Sequence, residues 1–310
     1  MIHNLKVSKY DYIKSQKMIF SSFVDNRKKY LIQSFIWVTA LKKRACIESS
    51  QIHLCFSNDV DKKVTEYFAN LGILISSGDT IDKRSKPLNK LNQLKFLQKK
   101  RYKKIILSDT DIVFEKSALN WLSKKYIIGA NLFVGRPPYR VFNELMEIFN
   151  IRNDNCFREL SQSRQIEENF SLANNILGSI YSIDGEYFLN LSKDWEEISH
   201  MCLEKIDLIK PYERNIDQIA MTLAIEKQNI LSTILSPTLN VTPKNKNLFI
   251  FDGDIESIDA LHFHEDFSME TGFLQAQDTS HFLVKERIES INKDLSNNGI
   301  GDFMEIISKI

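Results

Sequence analysis

The first 115 residues of this 310-residue chain alternate between a strand pattern and a helix pattern, and that alternation limits the folds open to it. Met18-Ile19-Phe20-Ser21-Ser22-Phe23-Val24 reads as a strand that stops at Asp25. Residues 30–44, YLIQSFIWVTALKKR, then place Leu31, Phe35, Val38 and Leu41 on one helical stripe. The basic cluster closing that stretch suits the negative end of a helix dipole. Gln51–Phe56 is a second strand, ended by Ser57-Asn58-Asp59, and VTEYFANLG is a helix stopped at Gly72. Ile73-Leu74-Ile75 is a third strand. Pro87 opens another helix, PLNKLNQLKFLQKK, with Leu88, Leu91, Leu94 and Leu97 three apart, and the strand IILSD follows it. Alternation of this kind predicts an α/β fold with a parallel sheet covered on both faces. Such sheets bind ligands at the carboxyl ends of their strands, where Asp25, Asp59 and Asp109 all fall. Residues 18–115 therefore read as a nucleotide-binding half.

The remainder is less regular. Residues 127–134 and 176–183 read as strands, and residues 141–170 as helix plus exposed loop. Helices are predicted over 185–205, over 217–227 with Asp217 at the start, and over 281–296 through Val284, Ile288, Ile291 and Leu295. Residues 248–251 and 260–263 read as short strands. No repeat, low-complexity tract or linker divides the chain.

The bulk numbers exclude several classes. With 43% hydrophobic and 26% charged residues the composition is that of a globular protein with a large core. A net charge of +1 lacks the basic footprint of a nucleic-acid binder. Cys46, Cys55, Cys156 and Cys202 show neither metal-ligand spacing nor a disulfide framework, which fits a reducing, cytoplasmic setting. The polar N-terminal stretch has no apolar signal-peptide core, and no run approaches the ~20 apolar residues needed to span a bilayer. Peripheral contact with the inner face of a membrane, through residues 281–310 or the charged stretch 150–169, stays open beside the simpler reading that the helix packs on its own domain.

The most informative stretch is KKIILSDTDIVFE, residues 103–115. Asp109 and Asp111 share one side of an extended segment, because side chains alternate with period two. Two carboxylates aimed into one pocket repel, and a divalent cation removes that cost. Mn²⁺ and Mg²⁺ prefer such hard oxygen ligands and often bridge them to a substrate phosphate. A solvated loop after a strand is the plainer reading of the same residues.

In its setting, Asp109-Thr110-Asp111 resembles the DxD motif of GT-A glycosyltransferases, where a divalent metal grips the diphosphate of a nucleotide-sugar. SSFVD followed by YLIQSF resembles the family's first βα unit, which holds the nucleobase; Phe23, Val24 and Asp25 match there. PLNKLNQLKFL is similar to the family's helix carrying Asn or Lys near the nucleotide, matched by Asn89 and Lys90. DQIAMTLAIE resembles the helix start where an acidic residue and a Gln face the sugar, matched by Asp217 and Gln218. ALHFHED resembles the late segment supplying a histidine to the metal; His262 matches best and His264 second.

The resemblance spans roughly residues 18–266 and departs from the pattern at ANNILGSIYSID. There Asn174 and Asn175 lie early, Leu177 sits where Asn is expected, and Gly178-Ser179 fits the small-residue part; Asn174-Asn175 as a plain turn is an equal reading.

The resemblance implies a GT-A type Rossmann-like mixed sheet flanked by helices over residues 1–280, with a C-terminal helical extension over 281–310. It implies transfer of a sugar from a nucleotide-diphosphate donor, UDP-sugar favoured, to a hydroxyl of a glycan or lipid-linked acceptor, and the polar composition, heavy in Lys, Asn and Ile, points to surface-glycan or polysaccharide biosynthesis. Asp109, Asp111, His262 and His264 would be the metal-ligand set for Mn²⁺ or Mg²⁺, and Asp217 and Gln218 the catalytic pair. Phe23, Val24, Asp25, Asn89, Lys90, Ser108, Asp109, Thr110, Asn175 and Gly178 would line the donor.

Two rivals share parts of this pattern. A haloacid-dehalogenase-type phosphatase would use Asp109 as nucleophile and Asp111 as acid/base, with Gly253-Asp254 and Asp259 as its late acidic motif. No Gly follows the DxD and a hundred residues of α/β precede it, which count against that reading. A non-catalytic nucleotide- or glycan-binding homologue is the third.

Overall fold

The computed structural model describes residues 18–132, 137–152, 157–159, 170–210, 212–243, 257–278 and 280–310. Strands β1 (Met18–Val24), β2 (Ile52–Ser57), β3 (Leu74–Gly78) and β4 (Lys104–Ser108) pair in parallel in the order β4-β1-β2-β3. Their side chains are apolar on both faces because both faces are covered: Met18 and Phe20 join one core cluster and Ile19 the other. Helix α1 (Lys28–Lys43) connects β1 to β2 and carries Lys42 and Lys43 in its last turn. Helix α2 (Lys62–Asn70) starts where the Asp61 carboxylate accepts the Lys63 amide. It ends at Gly72, whose φ of 79° is a conformation only glycine adopts without strain.

The helix expected from Pro87 takes a different form. Residues Lys86–Leu91 form a 3₁₀ segment that runs into the short helix α3 (Asn92–Leu97). A leucine every third residue matches the 3₁₀ period over Leu88 and Leu91, and the i, i+3 spacing continues through Leu94 and Leu97 of α3, so all four are buried.

The sheet is mixed rather than all parallel. β9 (Ile176–Asp184) lies antiparallel between β4 and β6 (Ile128–Leu132). β10 (Thr233–Ile234) adds a parallel edge on β6, giving seven strands in the order β10-β6-β9-β4-β1-β2-β3. The alternation of the first half predicts parallel pairing, but the apolar run of β9 is buried on both faces and carries no directional mark. Two small ribbons stand apart: β5 (Ile112–Phe114) with β11 (Ala260–His262), and β7 (Phe157–Glu159) with β8 (Phe170–Leu172), both antiparallel.

Helices α4 (Tyr139–Ile148), α5 (Gly185–Glu204) and α6 (Ile216–Lys227) join α3 over one face of the sheet. The other face carries α1, α2, α7 (Phe282–Asn297) and α8 (Ile300–Ser308). The stripe Val284, Ile288, Ile291 and Leu295 is buried in that core, and Phe303 of α8 stacks on Phe35 of α1 at 4.9 Å between ring centroids. Arg44 ties the end of α1 to Glu115 at 2.6 Å and to Asp294 of α7 at 2.5 Å, while Arg287 reaches Glu115 at 3.1 Å. The apolar stripe of residues 281–310 thus faces α1. Among the described residues no helix is long and apolar enough to cross a membrane.

Strand 248–251, Gly253-Asp254, Cys156, the tail of strand 127–134 and most of the stretch 150–169 fall outside the described residues.

Candidate active site

The carboxyl ends of β1 and β4 open onto a cleft of about 330 Å³. Phe23 and Asp25 come from the end of β1, and Asp109, Thr110 and Asp111 from the turn between β4 and β5. Lys86, Pro87 and Lys90 come from the 3₁₀ segment, and Arg214, Asp217 and Gln218 from the approach to α6. Parallel pairing brings the first two strand ends to one sheet edge, and the 3₁₀ turn lays Lys90 across it.

Asp109 and Asp111 separate into two environments. Lys90 Nζ lies 2.6 Å from Asp109 Oδ1 and 3.3 Å from Asp217 Oδ2, so one ammonium bridges two carboxylates. Burial disfavours the Lys90 charge, yet Asp109 and Asp217 outweigh it and hold the lysine firmly protonated. Burial also raises the Asp109 pKa, against the pull of Lys90. At Asp111 burial acts in the same direction, but His262 and His264 outweigh it and hold the carboxyl well below its ordinary range. The His262 pKa is raised in return: burial lowers it, and Asp111 more than compensates.

The second environment is built on the β5–β11 ribbon, whose register sets His262 opposite Ile112, next to Asp111. His262 Nε2 lies 3.3 Å from Asp111 Oδ1, and His264 Nδ1 lies 3.7 Å from Asp111 Oδ2. The two rings face each other at 3.8 Å between centroids. His264 reaches this position through a left-handed backbone, φ 51°, strained for a residue with a Cβ. Gln33 of α1 holds that turn by donating its side-chain amide to the His264 carbonyl at 2.6 Å. His262 Nδ1 is bonded to Asn240 Oδ1 at 2.8 Å. An amide oxygen only accepts, so Nδ1 carries the proton and Nε2 faces Asp111.

This trio fits a divalent cation. One donor atom each from Asp111, His262 and His264 lie within 4.8 Å of one another. Asp111 Oδ1 is buried without a hydrogen-bond partner, and a carboxylate plus imidazole set suits Mn²⁺ as well as softer ions. Asp109 stands in the same cleft, with its carboxylate engaged by Lys90.

Other residues singled out in the sequence occupy different places. Val24 is fully buried in the core, because the strand pleat turns it away from the cleft. Ser108 Oγ accepts from Trp37 Nε1 at 3.0 Å inside the sheet. Asn89 Oδ1 accepts the Ile81 amide at 2.8 Å and so holds a loop. Asn175 Nδ2 donates to Ser171 Oγ at 2.8 Å, and Asn174 bonds Glu226 and the carbonyl of Ile230, so both brace the chain before β9. Gly178 touches Gln218 directly: a Cβ there would lie 2.7 Å from Gln218 Cγ. Its small size lets the start of α6 approach β9.

Arg27, Tyr30, Gln33, Lys86, Arg214 and Asn240 are site residues that the motifs did not include. Arg27 pairs with Asp25, Nε to Oδ1 at 3.0 Å, and its guanidinium lies over the Tyr30 ring at 4.4 Å. Its place two residues after a strand-end aspartate was a usable signal. Asn240 had none, because it reaches His262 from the end of a one-turn 3₁₀ segment, Pro237–Asn240, too short to carry an apolar period.

No protein-family model matches the sequence, and a comparison with curated proteins gave no match. Solved structures do match. The galactosyltransferase LgtC, in complex with donor and acceptor sugar analogues, superposes with a TM-score of 0.54 at 10% identity, over 89% of this chain and 95% of that one. An active-site mutant of LgtC gives 0.56 at 10% identity with the same coverage. The bifunctional glycosyltransferase WbbM gives 0.53 at 11% identity, over 94% of this chain and 51% of that one. At such identities the likeness is one of fold, and the mixed seven-stranded sheet described above is the GT-A fold of these glycosyltransferases.

Proposed function

We propose that this protein is a metal-assisted glycosyltransferase that moves a sugar from a nucleoside-diphosphate donor to a hydroxyl of a glycan or lipid-linked acceptor. The observation that carries the reading is the meeting of Asp109, Lys90, Asp111, Asp217 and Gln218 in one strand-end cleft, with His262 and His264 gathered on Asp111. The site is rich in cations placed for an anion: Lys86, Lys90, Arg27 and Arg214 all line it.

Asp111, His262 and His264, with Asp109 beside them, would hold Mn²⁺ or Mg²⁺. The bound ion supplies Lewis-acid neutralisation of the departing diphosphate. Lys90 adds a positive charge where negative charge develops. Tyr30, with Arg27 on its face, offers a flat surface to a nucleobase near Asp25. Asp217 and Gln218 would orient the sugar and the acceptor hydroxyl. UDP-sugars are the favoured donors, by resemblance to the family. A role in surface-glycan or polysaccharide assembly at the cytoplasmic face of a membrane is part of the same proposal and rests on the composition, rich in Lys, Asn and Ile.

Among the described residues, one acidic residue of the phosphatase reading, Asp259, stands apart from the DxD turn. Asp259 accepts from Trp121 Nε1 at 3.0 Å and from Thr238 Oγ1 at 2.5 Å, at the end of the β5–β11 ribbon away from Asp111.

The test is a screen of UDP-, GDP-, CMP- and TDP-sugars with and without Mn²⁺, by thermal shift and by donor hydrolysis. A ligand bound only by the folded state at ~100-fold excess over Kd stabilises by about 2.7 kcal/mol, which a melting curve resolves. Metal-dependent turnover that Asp111→Asn abolishes is expected. Turnover of a simple phosphomonoester, or an Asp109 phosphoenzyme, would replace the transferase with the phosphatase.

A further inference from the structure

Tyr181 is a buried polar group beside the cleft to which the reading above gives no task. It sits in the middle of β9, opposite Leu107 of β4, and is 2% exposed. Its hydroxyl has no hydrogen-bond partner among the described residues. Yet it lies near enough to Asp217, Lys90 and Asp109 to feel all three charges. Trp195 of α5 binds both neighbours: its ring meets Tyr181 edge to face at 5.8 Å, and its Nε1 donates to the Asp217 carbonyl at 2.8 Å.

Packing alone does not account for this residue. Phenylalanine would fill the same space without an unpaired hydroxyl, and an unmet buried donor costs stability. The three charges that act on the phenol suggest what the hydroxyl is for. One ammonium, on Lys90, serves two carboxylates at 2.6 and 3.3 Å. An incoming diphosphate is a third and stronger anion competing for it. Asp217 is only 4% exposed, so when Lys90 turns to the diphosphate, solvent cannot replace it.

We propose that Tyr181 is a positioning residue that donates its hydroxyl to the Asp217 carboxylate once Lys90 has turned to the substrate. The inference rests on the donor reading above and adds a handover to it. Lys90 leaves Asp217 for the phosphates, the phenol takes its place, and Asp217 stays fixed toward the acceptor instead of collapsing onto the lysine. Burial, with Asp217 next in weight, raises the phenol pKa, so the group is a neutral donor throughout. Trp195 keeps ring and carboxylate in register during the exchange.

Tyr181→Phe tests this, measured beside the wild type for melting temperature, for binding of UDP with Mn²⁺, and for steady-state turnover of the sugar nucleotide found in the donor screen. The expected result is a melting temperature unchanged or raised, nucleotide affinity within about twofold, and kcat lowered about tenfold or more. A merely structural tyrosine would leave kcat untouched. An active wild type with equal kcat and KM in the variant overturns this inference alone. So does a loss of turnover that tracks a lowered melting temperature and weakened UDP binding together. A wild type that neither binds nor turns over any sugar nucleotide overturns the donor reading, and the handover with it.

Discussion

Asn240 accepts the proton of His262 Nδ1 at 2.8 Å, and this contact turns the other ring nitrogen toward Asp111. Partners of this kind fix the tautomer and ring orientation of metal-binding histidines, and their loss costs about 10–100-fold in metal affinity. Asn240→Leu is therefore expected to weaken Mn²⁺ binding by that factor, measured by calorimetric titration, with little change in nucleotide binding without metal. Equal Mn²⁺ affinity in the two proteins would remove Asn240 from this role.

Gly178 and Gln218 form a second dependent pair. A Cβ at position 178 would meet Gln218 Cγ at 2.7 Å and Oε1 at 3.1 Å. Gly178→Ala should push Gln218 out of place and lower transfer about 10–100-fold, the scale of a misplacement near 1 Å. Overpacking at such a contact costs about 1–3 kcal/mol in urea denaturation. In a Gln218→Ala background the same change should cost almost no further activity, and a full additional loss would show that Gly178 acts on something else.

His53 carries the pH dependence of the sheet. Its Nδ1 is bonded to Ser21 Oγ and its Nε2 to Ser76 Oγ, both at 2.8 Å, and its ring stacks on Phe96 at 4.0 Å. Burial, with a contribution from the Lys100 charge, holds its pKa down to about 3 against an ordinary 6.5. The folded protein keeps His53 neutral while the unfolded chain takes up a proton below 6.5. Its contribution is thus complete above that pH and lost as pH falls toward 3, at about 1.4 kcal/mol per unit. Urea denaturation at pH 6.5 and pH 5 should show about 2 kcal/mol of loss from this residue. His53→Gln should flatten the dependence by that amount, and parallel pH profiles in the two proteins would count against it.

Arg44 fastens the C-terminal helices to the rest. It is nearly buried between Glu115 and Asp294. Breaking a buried pair costs about 3–5 kcal/mol. Arg44→Met should fall at the low end of that range, because Arg287 still reaches Glu115 at 3.1 Å. A denaturation midpoint equal to that of the wild type would mean that the apolar contacts of α7 and α8 suffice.

The parts of this molecule that a reader of the sequence can find are those set by local period. Asp25 and Asp109 are visible because apolar runs stop at them, and Lys90, Asp217 and Gln218 because the segments that carry them resemble those of GT-A glycosyltransferases. The orientation of β9 was not visible, since ILGSIYSI reads the same to a hydrophobic pattern whichever way the strand points. The leucines at spacing three predict a helix from Pro87, and the spacing does not show where it changes type: Leu88 and Leu91 lie in the 3₁₀ segment, Leu94 and Leu97 in α3. Asn240 and Arg214 come from single 3₁₀ turns, Pro237–Asn240 and Glu213–Asn215, whose positions depend on the finished fold. Asn89 and Asn175 matched the expected residue type, yet their side chains are engaged in bracing loops.

The β5–β11 ribbon has a consequence for how the protein is made. Asp111 and its neighbours are synthesised well before their partner strand Ala260–His262 and His264 just after it. A nascent chain that has released everything through β10 could already form the full seven-stranded sheet and the Lys90–Asp109 contact. It would still lack both histidines. Closing so distant a pairing is slow compared with local steps, so the cation site would be among the last parts to form, after the sheet that supports it.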